Sequence, residues 1–187
     1  MKLQQIIVDA DICIKIGTSE KYLFLENLFP CIAEKIYIHS VVYDEIIVPA
    51  CAKQQLDNLI EAGIVEKTCE DDLSEIEKAL YHATIGQLAK VMVNKNEPNK
   101  NKGEISSLAM AKVKRIPIFA TDEKNLQGII DANLNTGIDD ITCLRIVDII
   151  TKIKEGELSG LARKEAKILW ILSGKPKKLF DNIIWPS

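Results

Sequence analysis

Histidine is nearly absent from this chain: His39 and His82 are the only two in 187 residues. Neither sits in a recognisable catalytic motif, so a nucleophile–base pair built on imidazole and a His-rich metal site are both excluded. The five cysteines, Cys13, Cys31, Cys51, Cys69 and Cys143, include no C-x-x-C pair. A scattered, odd set argues against a disulfide framework and against structural zinc, and reads as small packing residues or inert thiols. No apolar run approaches the roughly 20 residues that span a bilayer. Asp9 and Asp11 interrupt any signal-like apolar core near the start, so a cytoplasmic protein with no membrane association is expected. Excess positive charge is missing too. The net charge is −3, which leaves no global field for nucleic acid. Any such contact needs a local patch, and two are available: Lys95, Lys100 and Lys102 in a polar loop, and Lys175-Pro176-Lys177-Lys178 near the end. Neither G-x-G-x-x-G nor G-x-x-x-x-G-K-[ST] occurs, which speaks against a nucleotide-binding α/β protein.

What is present is an ordinary globular balance, 47% hydrophobic and 27% charged, over a length that fits one domain with a helical extension. Short apolar, β-prone runs at Gln5–Val8, Lys35–Ile38, Ile64–Glu66 and Ile116–Ala120 read as strands covered on both faces, with a weaker signal at Ile141–Cys143. Between them lie helical patterns. One starts near Asp11, one covers Thr18–Phe29 before Pro30, and Ser40 is placed to cap another that carries Asp44 and Glu45. Further helices are predicted over Ala50–Ala62, over Leu73–Val93 with an inward stripe of Leu73, Ile76, Leu80, Ile85, Leu88 and Val91-Met92, and from Gly103. Three more follow over Glu123–Ala132, Leu144–Lys154 and Leu161–Leu172. Alternating strands and helices predict an α/β fold with a mostly parallel sheet of four to five strands.

The chemistry-bearing residues are acids. Asp9 follows the first strand, and in open α/β sheets ligands bind outside the carboxyl ends of the strands. A helix cap or a solvated turn acid is the other reading of Asp9, and capping fits Asp11, two residues on and nearer the helix start, better. Glu45 falls four after Val41 and three after Val42, on a face with apolar residues. Glu104 stands four before Leu108, so a carboxylate occupies the inward face of a first helical turn, where the helix dipole also favours it. Thr121, Asp122 and Glu123 follow the fourth strand, and a capping role for Asp122 is compatible with a functional one. Carboxylates that converge without a cation repel one another. Hard oxygen donors with no His or Cys partner point to Mg²⁺ or Mn²⁺.

In their order and spacing these stretches resemble a PIN-domain ribonuclease of the VapC-toxin type. The resemblance covers roughly Gln5 to Cys143. It rests on Ile-Val-Asp-Ala-Asp, Val-Val-Tyr-Asp-Glu-Ile, Lys-Gly-Glu-Ile-Ser-Ser-Leu-Ala and Phe-Ala-Thr-Asp-Glu. It implies a three-layer α/β/α domain, expected over residues 1–143; residues 144–187, for which the resemblance gives no role, are expected as a C-terminal helical extension packed on the same domain. It also implies a divalent-metal site and hydrolysis of RNA phosphodiesters. Asp9, Glu45 and Glu104 match the first three family acids, and either Asp122 or Glu123 the fourth. Asp9, Glu45, Glu104 and Asp122 are then the catalytic set, with Asp9, Glu104, Asp122 and Glu123 as metal ligands and Asp11 and Thr121 in support. Lys95, Lys100 and Lys102 are placed to hold RNA. Asp11 stands where Asn is commoner and Glu104 where Asp is commoner; both keep an oxygen ligand. An antitoxin protein and a second copy of the chain are the further partners implied. The alternative is a catalytically inactive PIN-like binding or scaffold module.

Overall fold

The computed structural model describes residues 2–93 and 100–186. Its centre is a five-stranded, all-parallel sheet in the order β3-β2-β1-β4-β5, made of β1 (Leu3–Val8), β2 (Ala33–His39), β3 (Val65–Thr68), β4 (Ile118–Ala120) and β5 (Thr142–Leu144). Val8 pairs with Ile38 on one side and Ala120 on the other, so β1 is the middle strand. Its residues alternate between two cores. Ile6 and Val8 join one apolar cluster, and Ile7 joins the other. A strand buried on both faces must be apolar throughout, which is why the opening run carries no alternation.

The first cluster is closed by α1 (Ala10–Gly17), α2 (Phe24–Ile32), α4 (Ala50–Glu61), α8 (Ile146–Lys154) and α9 (Arg163–Leu172). The second is closed by α5 (Glu75–Met92), α6 (Lys102–Lys114) and α7 (Leu126–Asn133). The short α3 (Ser40–Glu45) leaves the end of β2. Helices on both faces of a parallel sheet give the three-layer α/β/α arrangement. Position 143 falls inside β5, and Ile150, Trp170 and Phe180 are built into the same core as β1. Among the described residues no helix is long and apolar enough to cross a membrane.

Several elements differ from their sequence expectations for definable reasons. The second helix begins at Phe24, not Thr18, and runs through Pro30 to Ile32; the buried Ile32 keeps the last turn on the core. The cap of α3 is His39 rather than Ser40. Its Nδ1 accepts from the Val41 N–H at 3.2 Å while Nε2 meets the Tyr81 hydroxyl at 3.0 Å. Burial pushes this imidazole down to about 4, so the ring is neutral and serves the fold. The Tyr81 contact also sets the phase of α5. Its inward face is Tyr81, Thr84, Leu88 and Met92, whereas Ile76, Leu80 and Val91 stand 85%, 49% and 54% exposed. The expected stripe counted only apolar residues, and a polar pair in the core outweighed it. The seventh helix starts at Leu126, leaving Glu123 in a loop, and Asp122 caps nothing.

Candidate functional site

The chain passes from β1 to β2 and β3 on one side, then crosses back to place β4 on the other. The crevice beyond the carboxyl ends of β1 and β4 is therefore the switch point at which such sheets bind ligands. Asp9 stands at the end of β1 and the Thr121–Glu123 loop at the end of β4.

Asp9 is the N-cap of α1 and only 1% exposed. Its Oδ1 accepts from the Ala10 N–H at 2.7 Å and its Oδ2 from the Thr121 hydroxyl at 3.1 Å. Thr121 Oγ1 in turn accepts from the Glu123 N–H at 3.2 Å, so one buried hydroxyl fixes both Asp9 and the loop. Burial, then the Glu104 charge, push the Asp9 carboxyl up to about 7 against these hydrogen bonds, with Asp11 adding a smaller push. The side-chain charges that reach it are negative.

Glu104 lies in the first turn of α6. Burial, with the charges of Glu123 and Asp11 behind it, holds its carboxyl above the ordinary range. One turn along the same face, the buried Ser107 hydroxyl has no hydrogen-bond partner among the described residues. Glu45 ends α3 and is exposed as a residue, not inward-facing as its spacing from Val41 and Val42 predicts. Its carboxylate nevertheless rests on α6. A methyl group at Gly103 would stand 2.5 Å from Glu45 Oε2, and the Gly103 N–H donates to this carboxylate. Desolvation and the Glu104 charge raise the Glu45 carboxyl, with Lys102 opposing.

The Thr121–Glu123 loop deals its side chains to different sides. Asp122 is set apart from the other acids. Its side chain is 3% exposed, and its Oδ2 accepts from Lys15 Nζ at 3.0 Å and Lys175 Nζ at 2.5 Å. Burial raises this carboxyl, but the two lysine hydrogen bonds outweigh it and leave it below the ordinary range. Glu123 is the member of the pair whose charge reaches Glu104. Asp11 pairs with Lys15 at 2.8 Å. Lys95 lies outside the described residues. Lys100 lines a cavity of about 320 Å³ together with Asn101, Glu104, Glu123 and Asn125, and the charge of Lys102 reaches Glu45. Lys15 is absent from the sequence reading, and Lys175, expected there in a basic patch for nucleic acid, is paired with Asp122 instead. The only signal for Lys15 was its position four residues after Asp11.

The charge of Glu104 thus raises Asp9 and Glu45, that of Glu123 raises Glu104, and burial desolvates Asp9, Glu45 and Glu104. In kind, this donor set suits a divalent cation. In the arrangement seen, no group of three or more His, Cys, Asp and Glu side chains among the described residues is placed to hold a metal ion. The Gly103–Glu45 contact yields a prediction that separates geometry from stability. Gly103→Ala must push the flexible end of Glu45 aside, while alanine favours the helix by roughly 0.5–1 kcal/mol. Stability in thermal unfolding should then hold or rise slightly. Any activity that depends on Glu45 should fall up to about 100-fold, the effect of displacing a catalytic group by about 1 Å. Comparison with known proteins gives no family model, no curated protein and no solved structure that matches this chain.

Proposed function

We propose that this chain is a divalent-metal-dependent endoribonuclease of the PIN type, hydrolysing RNA phosphodiester bonds with Asp9, Glu45, Glu104 and Glu123 around Mg²⁺ or Mn²⁺. A toxin held in check by an antitoxin is the narrower form of the same proposal. The observation that carries it is Asp9: a carboxylate buried at the switch point, next to further acids, with no ion pair to a lysine or arginine among the described residues. Asp122 on the adjoining loop has two lysines against its charge, whereas Asp9, which also caps α1, is met by the Ala10 N–H and the Thr121 hydroxyl.

In this reading Thr121 fixes the orientation of Asp9 and the start of the acidic loop. The Glu45 carboxylate rests on the Gly103 backbone, within reach of the Glu104 charge. Lys100 stands at the rim of the cavity that Glu104 and Glu123 line, where a phosphate of the strand would pass. A divalent cation bound there supplies Lewis-acid stabilisation of charge on the phosphate as the bond breaks.

A second reading, a PIN-like binding module without catalysis, is favoured by one observation: the acids are not gathered three at a time. Metal titration distinguishes the two. For the nuclease, Mn²⁺ at about 100 times its Kd should stabilise the protein by roughly 2.7 kcal/mol. Differential scanning fluorimetry in Mn²⁺ against EDTA measures this, and Asp9→Asn should lose most of the shift. No shift in the wild type would favour the binding module.

A further inference from the structure

On the other side of the Thr121–Glu123 loop lies a second compartment. It is a cavity of about 250 Å³ between the β4 loop, the start of α8 and the C-terminal segment. Lys124, Arg145 and Lys175 line it, with Val147, Leu179 and Ile184 among the apolar residues opposite. Lys175 is engaged by Asp122. Arg145 is not matched in this way. Its Nε is buried and has no hydrogen-bond partner among the described residues, and the Asp148 carboxylate beside it is 3.8 Å away, too far for a hydrogen bond. The side chain as a whole is 36% exposed and is ion-paired with Asp148, so what is left open beside the two lysines is one guanidinium donor, which an anion or water can complete.

We propose that this basic compartment holds a phosphodiester of the bound RNA strand, adjacent to the one presented to the acids. The loop itself supplies the spatial argument. Thr121 bonds Asp9 and the Glu123 charge reaches Glu104, whereas Asp122, between them, turns to Lys15 and Lys175. Acidic and basic compartments therefore share one wall only three residues long. A strand whose phosphates alternate with apolar base faces matches a cationic rim backed by Val147 and Leu179. The C-terminal extension, which supplies Lys175 and Leu179, acquires a role in substrate binding.

This inference rests on the RNA reading of the site, but it is tested without catalysis. Fluorescence anisotropy of the full chain in EDTA, with a short single-stranded RNA of mixed sequence, gives affinity against salt. Arg145→Gln and Lys124→Gln should each weaken binding roughly tenfold, as loss of one hydrogen bond to a charged group does. Each should also flatten the log–log salt slope by about 0.7. Lys124 is exposed, so its variant cannot act through misfolding. Lys35→Gln, exposed near the amino end of β2 and away from the pocket, serves as the control and should change binding little. RNA with a 5′-hydroxyl should behave like RNA with a 5′-phosphate. Loss confined to the 5′-phosphorylated strand, or losses no greater than that of Lys35→Gln, overturns the proposal. Weakened binding by a protein that cleaves nothing in Mn²⁺ upholds the compartment and rejects the nuclease. Cleavage with unaltered binding in both variants does the reverse.

Discussion

Asp9→Ala and Glu104→Ala should each lower Mn²⁺-supported cleavage of single-stranded RNA by roughly two to three orders of magnitude. Each ligand removed costs a few kcal/mol of transition-state stabilisation, at about 1.4 kcal/mol per tenfold. Among the described residues, neither His39 nor the remaining loop acid, Asp122, stands ready to substitute. His39 is neutral and tied to Val41 and Tyr81, and the Asp122 charge is met by Lys15 and Lys175. Asp122 and Glu123 should then behave oppositely. Glu123→Gln, at an exposed position, should cost activity and little stability. Asp122→Asn takes the carboxylate from the partly buried Lys175 and leaves Lys15 with Asp11 alone, so it should cost stability first. Rates in Mn²⁺ and in excess EDTA, with thermal unfolding of each variant, make the comparison. Wild-type cleavage that persists in EDTA, or an Asp9→Ala, Glu104→Ala double variant that still cuts, would refute the metal mechanism.

The sequence disclosed the sheet because parallel strands buried on both faces leave unbroken apolar runs, and Asp9 and Thr121 mark the ends of two such runs. It disclosed the place of Glu104 because the register of Ile105, Leu108 and Ala109 fixes the inward face of α6. It could not divide Asp122 from Glu123. That division is made by Lys15, 107 residues away, and by Lys175, 53 residues away. No local period encodes such contacts. Glu45 shows the same limit from the other side. Helical spacing aims it inward, but α3 ends there, and what holds its carboxylate is the bare backbone of Gly103. The phase of α5 was lost for a related reason, since a Tyr–His hydrogen bond across the core has no hydropathy signature. Topology follows from pattern; the partition of charge follows from tertiary contacts between distant lysines and acids.

In EDTA the protein should become less stable as pH rises from about 4 to 7, and Asp9→Asn should remove most of that loss. Asp9 has an unfolded pKa near 3.9 and a folded value pushed up to about 7. Across that interval the folded state binds more protons than the unfolded state, so the unfolding free energy falls as pH rises. A shift of this size is worth on the order of 4 kcal/mol at pH 8, or about 10 °C in a chain of this length. Glu104 and Glu45 are raised as well and act in the same direction. Asp122 acts oppositely. Its lowered carboxyl contributes stability above its unfolded pKa, and that contribution is lost as pH falls through the folded value, which sets a separate acid limit below about pH 4. The asparagine variant keeps what the fold uses. An Asn Oδ1 still caps the Ala10 N–H, and the Thr121 hydroxyl can turn to accept from the amide. Melting temperatures in EDTA from pH 4 to 8 should therefore converge at the acid end, with Asp9→Asn the more stable by several degrees at pH 8. Mn²⁺ should reverse the slope for the wild type alone, because a cation binds the ionised carboxylate and competes with the proton. If Asp9→Asn instead melts several degrees below wild type in EDTA at pH 8, the Asp9 charge is satisfied by the fold itself. The crowding that calls for a metal would then be absent.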